Sequence, residues 1–104
     1  MYVNTMLIEY ELEGIKFEWD SSKFDSNIKK HGISFETACE AFFDPFLQSL
    51  GAEEAGEEIR EVIIGMTVAW KLLYVVYAIR KEDKFRIISA RPVTKSERIK
   101  YEKY

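Results

Sequence analysis

From Ile8 to Asp20 apolar and polar side chains alternate, with Ile8, Tyr10 and Leu12 against Glu9, Glu11 and Glu13, then Ile15, Phe17 and Trp19 against Lys16, Glu18 and Asp20. A period of two marks a half-buried strand. Gly14 interrupts it and signals either a tight hairpin or a bulge in one long strand. The spacing then turns helical. Asp20 or Ser21 can accept hydrogen bonds from the first free N–H groups, Phe24 and Ile28 share a face, and Gly32 ends a helix predicted over Ser22 to His31. Ser34 caps a second helix, with Ile33 placed to staple onto Ala38, which runs through Phe42 and Phe43 to the Asp44-Pro45 stop.

Phe46 to Leu50 reads as a short strand, and Gly51 to Glu58 as an acidic, glycine-containing mobile connector. Three strands follow, Arg60 to Gly65, Lys71 to Arg80 and Phe85 to Arg91, and their short connections favour antiparallel pairing. Thr94-Lys95-Ser96-Glu97 is a capping box opening a closing helix to about Lys103. The order of elements is α+β, in a single domain over 1–104.

The chain has 104 residues, enough for one modest core. Its one cysteine, Cys39, lies among Ala38, Phe42 and Phe43, where core packing is a commoner role than nucleophilic attack. A zinc site of ordinary type is excluded by one cysteine and one histidine, and the carboxylates lack calcium-loop spacing. No signal-peptide core or membrane-spanning run is present, so the expected compartment is the cytoplasm.

The net charge of −3 argues against a nucleic-acid partner until its distribution is considered. Residues 1–79 carry 14 acidic and 6 basic side chains, whereas residues 80–104 carry 9 basic and 4 acidic ones. The sign flips from −8 to +5 along the chain, leaving room for a local cationic face.

Particular blocks then become recognisable: Phe17-Glu18-Trp19-Asp20, Lys23, Asn27, Lys30-His31-Gly32-Ile33-Ser34-Phe35-Glu36, Ala38 and Phe43-Asp44-Pro45. Arg60, Ile64-Gly65, Arg86-Ile87-Ile88-Ser89-Ala90-Arg91, Glu97, Arg98 and Tyr101 continue the series. Through these residues the sequence resembles the BrnT toxins. The resemblance implies a RelE-like fold with two helices of the N-terminal half packed on an antiparallel sheet and a C-terminal helix. It also implies a metal-independent endoribonuclease, without cofactor, that arrests translation. The implied partner is a dimeric, DNA-binding BrnA-type antitoxin, through which operator DNA is met only indirectly.

Three features depart from the family pattern. Met1 to Lys16 form an extension expected to add an edge strand or a partner-binding element. Glu61 stands where an aromatic residue is common. Ala78-Ile79 replace a polar pair, commonly Thr-Glu, before Arg80, which weakens any mechanism needing a carboxylate on that strand.

Metal-free RNA cleavage needs a base for the 2′-hydroxyl, an acid for the leaving 5′-oxygen, and cations for the charge that builds on phosphorus. With one histidine, a paired-histidine mechanism is unavailable, and catalysis leans on arginine and lysine. The catalytic candidates are His31, Arg86 and Arg91, and the substrate-binding candidates are Lys30, Arg80 and Arg98. Arg86 and Arg91 lie five residues apart, on opposite sides of a regular strand unless a bulge intervenes. Each also suits pairing with a nearby glutamate. His31 ends the first helix, where a cationic imidazole is favoured by the helix dipole whether or not it is a catalyst. Lys30 beside it suits either a phosphate contact or ordinary solvation. Glu18 can accept a proton or orient an arginine, although a surface strand carboxylate is the commoner outcome. Trp19, Phe17, Phe35, Phe42 and Phe43 fit core packing better than base stacking, and Tyr101 fits either.

Two functions follow. One is an endoribonuclease toxin, for which convergence of His31, Arg86 and Arg91 in one cleft is the most informative structural test, since acid-base work on one phosphate needs a shared cleft. The other is a catalytically inactive protein-binding module acting only with its antitoxin in operator autoregulation.

Overall fold

A computed structural model describes residues 5–56 and 58–103. Strand β1 (Leu7–Leu12) and strand β2 (Ile15–Asp20) form a hairpin. Its turn residues Glu13 and Gly14 both have positive φ, which matches the twist of a two-residue hairpin loop and resolves Gly14 as a turn. Residues 1–4 of the expected extension lie outside the described residues.

Helix α1 (Ser21–His31) follows directly, and Gly32, at φ 67°, closes it by donating its N–H to the Ile28 carbonyl. Asp20 makes no side-chain cap bond. Ser21 Oγ instead accepts from the Met6 N–H, tying the start of the helix to the approach of β1. Helix α2 (Phe35–Glu40) is capped by Ser34, which accepts from the Thr37 N–H, and a short 3-10 turn over Ala41–Phe43 prolongs it.

Strand β3 (Gln48–Ala55) corrects one expectation. The acidic segment after Gly51 is a strand, not a connector, and pairs with β4 (Glu58–Met66) as far as Ala55↔Glu58, while residue 57 is outside the described set. Its glutamates suit an outer strand, where charge discourages further pairing. Strands β5 (Leu72–Arg80) and β6 (Lys84–Pro92) and helix α3 (Lys95–Glu102) complete the chain.

The six strands lie in the order β1-β2-β6-β5-β4-β3. All neighbours are antiparallel except β2 and β6, which run parallel with Phe17↔Phe85 and Glu18↔Arg86 opposite each other. An all-antiparallel sheet is therefore corrected to a mixed one. The chain leaves β2 through the two helices and re-enters the sheet at its far side, so the last strand of the β3–β6 meander closes against β2 in the same direction.

Helices α1 and α2 cover one face. Phe17, Trp19, Ile63, Leu73, Val75, Ile87 and Ala90 from the sheet pack with Phe35, Ala38, Cys39 and Ala41 into the core, where Trp19 lies edge-on to Phe35. Gly65 permits this approach: a Cβ there would collide with the Ala41 carbonyl oxygen. Burial also pushes the Cys39 thiol far above its ordinary pKa, with Glu36 and Glu40 adding to the shift, so it is an inert core residue. No helix among the described residues is long and apolar enough to cross a membrane.

Candidate nucleic-acid interface

The opposite face of the sheet carries most of its charged side chains, and the pairing registers place several of them in two rows. One row reads Arg91, Tyr74, Ile64, Gln48 across β6, β5, β4 and β3. Helix α3 meets this row. Gln48 Nε2 donates to the carbonyls of Lys100 and Tyr101, and Arg91 forks onto Glu97 with both contacts at 2.9 Å. Tyr101 closes the end of the helix by donating its hydroxyl to Asp44. Burial first, and this bond second, push the phenol up to about 12.

The second row reads Glu9, Glu18, Arg86, Ala78, Arg60, Glu53 across all six strands. That Arg86 and Arg91 share this face depends on a bulge. Val76 faces Ser89 but Tyr77 faces Ile87, so Ile88 is supernumerary and the alternation of β6 resets between the two arginines. Asn27 supports the bulged segment from α1. Its carboxamide accepts from the Ala90 N–H at 3.0 Å, donates to the Ala90 carbonyl at 2.8 Å and also donates to the Ile33 carbonyl. Asn27 thus satisfies Ala90 as a neighbouring strand would.

Within the second row, Glu18 is 5% exposed. Arg86 donates to its Oε2 from Nε at 2.8 Å, and Nη2 lies 2.6 Å from the same oxygen. Both bonds use Oε2, so Oε1 has no bond from Arg86. The expectation of a surface carboxylate gives way to a buried one that orients an arginine. Around the pair, Arg80, Lys81, Glu82, Lys84 and Arg86 line a cleft of about 200 Å³. Lys84 also meets Glu9 at 3.3 Å, and Arg80 and Arg60 approach Glu58 at 3.6 and 3.7 Å.

Ala78 sits between Arg86 and Arg60 in the row, and Ile79 pairs with Phe85 on the other face. A carboxylate at 79 would therefore point away from Arg86. The row takes its buried carboxylate from β2 instead.

The predicted site residues separate into groups. Arg80 and Arg86 share the cleft just described. His31 and Arg98 line a different one, of about 290 Å³, between the α1–α2 corner, the start of β5 and α3. Arg91 lines neither, being held by Glu97 and lying 3.8 Å from the centroid of the Tyr74 ring. Lys30 is exposed in the last turn of α1, beside Lys29 and His31. His31, Arg86 and Arg91 thus do not converge. Pro92, which borders the His31 cleft, is six residues along β6 from Arg86, roughly 18 Å at strand rise with one bulged residue.

Sequence reasoning gave neither Arg60 nor Lys84 a site role, although Arg60 lies among the family blocks. For Lys84 the available signal was its period-two relation to Arg86, which says nothing until strand order is known.

The comparisons with known proteins agree with this architecture. The family described as the ribonuclease toxin BrnT of type II toxin-antitoxin systems matches residues 19–97. The chain is also similar to a ribonuclease toxin BrnT from Brucella abortus, known from a 1.1 Å crystal structure. That similarity has a TM-score of 0.50 and 22% identity, over 74% of this chain and 94% of that one. No match is found among curated proteins. With a family match spanning most of its length, the chain belongs to the BrnT family of ribonuclease toxins of type II toxin-antitoxin systems.

Proposed function

We propose that this protein is a metal-independent, RelE-like endoribonuclease that acts in the cytoplasm, cleaving RNA on the sheet face opposite α1 and α2 and thereby inhibiting translation. The observation that carries this reading is the Glu18–Arg86 pair set among Arg80, Lys81 and Lys84. An RNA phosphate entering the cleft is met by guanidinium and ammonium groups that oppose the charge gained as the 2′-hydroxyl attacks phosphorus. Glu18, through Oε1, takes the proton of that hydroxyl. Lys84, on the same face, delivers a proton to the departing 5′-oxygen. Arg91 holds α3 and the bulged strand in place. Lys30, His31 and Arg98 contact RNA away from the scissile bond. The partner that restrains this activity is a BrnA-type antitoxin, with operator DNA reached only through it.

A second reading has its own support. Both strand arginines already hold a glutamate, as they would in a binding module without turnover. Incubating the purified chain, freed of antitoxin, with RNA in EDTA decides between them. Cleavage lost in both Glu18→Gln and Arg86→Ala is expected. Intact RNA with the unaltered chain, together with normal growth on induction, would select the binding module.

A further inference from the structure

The connection from β4 to β5 places a tryptophan in an unusual position. Trp70 is 82% exposed and has φ 63°, a left-handed conformation that a bulky side chain rarely adopts. The turn around it is firmly bonded. The Thr67 N–H donates to the Lys71 carbonyl at 2.8 Å, the Trp70 N–H to the Thr67 carbonyl at 3.0 Å, and the Lys71 N–H to Thr67 Oγ1 at 3.1 Å. A rigid backbone therefore presents a bare indole.

Trp70 forms a wall of the cleft that also holds His31, Lys71 and Arg98. Among the described residues no carboxylate lines this cleft, whereas Glu18 and Glu82 line the one around Arg86. Arg98 does approach Glu102 at 3.9 Å, but that pair is exposed and weak. Cations beside a fixed aromatic face are the means by which single-stranded nucleic acid is held without base-edge readout.

We infer that Trp70, His31, Lys71 and Arg98 form a second RNA subsite, in which a base stacks on the indole and the adjoining phosphate lies among the Lys71 ammonium, the Arg98 guanidinium and the His31 ring. This rests on the RNA-cleaving reading above and deepens it. The roughly 18 Å along β6 between Arg86 and Pro92 corresponds to about five nucleotides at a stacked spacing of about 3.4 Å. The enzyme therefore grips its substrate well away from the bond it cuts, and short fragments lose that grip.

The test is a titration of the purified, antitoxin-free chain with a 12-nucleotide single-stranded RNA carrying 2′-O-methyl groups, which lacks the attacking hydroxyl. The chain has two tryptophans, and the other, Trp19, is buried, so quenching of exposed tryptophan emission reports Trp70. Quenching is expected, and by anisotropy Trp70→Ala should bind about tenfold more weakly or worse, with Trp70→Phe recovering most of the loss. Arg98→Ala should lower the slope of log affinity against log salt by about 0.7. Trp19 emission reports whether Trp70→Ala is folded, and the quench in the unaltered chain decides the matter without any variant. An unquenched Trp70 at saturating RNA would overturn the subsite. So would a Trp70→Ala chain that keeps its RNA affinity but loses its antitoxin, because Trp70 also borders an apolar hollow with Phe43, Phe46 and Val68. Arg86→Ala should retain the quench while losing cleavage, so failure of the cleavage reading and failure of the subsite give different results.

Discussion

Arg86 and Arg91 leave the same strand on the same face, and each meets a glutamate, yet the two pairs are built for different ends. Arg91 spends both terminal nitrogens on the two oxygens of Glu97, adds the Pro92 carbonyl and covers the ring of Tyr74. Glu97 is equally committed, since it also accepts from the Thr94 N–H in the capping box of α3. Arg86 engages one oxygen of Glu18 through Nε and Nη2, and its Nη1 has no partner among the described residues. The first pair fastens a helix to the sheet. The second holds a guanidinium in place while leaving its Nη1, and one carboxylate oxygen of Glu18, unengaged by the other member of the pair.

Breaking the second pair should have the largest effect. Arg86→Ala is expected to lower the cleavage rate by about 10²–10³, the usual loss for removing one donor to a developing oxyanion. It should also cost about 3 kcal/mol in urea unfolding, because Glu18 would stay buried without its counter-charge. Adding Glu18→Gln should restore much of the stability and none of the activity. Should stability fail to return, the burial of Glu18 would not be the source of the cost.

Asn27→Ala attacks what lets the two arginines share a face. It leaves the Ala90 N–H, the Ala90 carbonyl and the Ile33 carbonyl unpaired, for a loss of about 3 kcal/mol. Slower cleavage should accompany the loss, because β6 can then shift register. Unchanged stability would show that the bulge holds itself.

Arg91→Ala should cost about 1–2 kcal/mol and leave the cleavage rate of the folded fraction within about twofold. Its clearest signature lies in acid. The side-chain bonds from Arg91 are the first cause holding the Glu97 carboxyl at about 2 instead of 4.5, with the Thr94 backbone bond assisting. A lowered folded pKa contributes stability that is complete above about 4.5 and lost as pH falls toward about 2. In Arg91→Ala that acid-dependent loss should shrink, and an unchanged profile would contradict the assignment. The smallest effect is expected from Tyr101→Phe, about 1 kcal/mol, since Asp44 keeps the N–H groups of Phe46 and Met66 as donors.

Much of this was visible in advance because it is local. The alternation through Ile8 to Trp19, the Ser34 and Thr94 caps and the Gly32 stop are recorded within a few residues of where they act, and the helices lie close to where those signals place them. The acidic stretch after Gly51 misled for the same reason. Glycine and glutamate favour a loop locally, and only pairing with β4 makes a strand of them.

The sequence by itself determined the α+β class, the helix ends and a cationic final quarter, since each follows from neighbours in the chain. Through its motif blocks it also carried the family. Tertiary structure alone decided which charges meet. Glu18 and Arg86 are 68 positions apart and face each other because β2 and β6 run side by side in parallel. One supernumerary residue, Ile88, brings Arg86 and Arg91 onto a common face, and strand length separates His31 from Arg86. Strand order and bulges are set by the packing of the whole sheet against its helices, and no window of neighbouring residues contains that information.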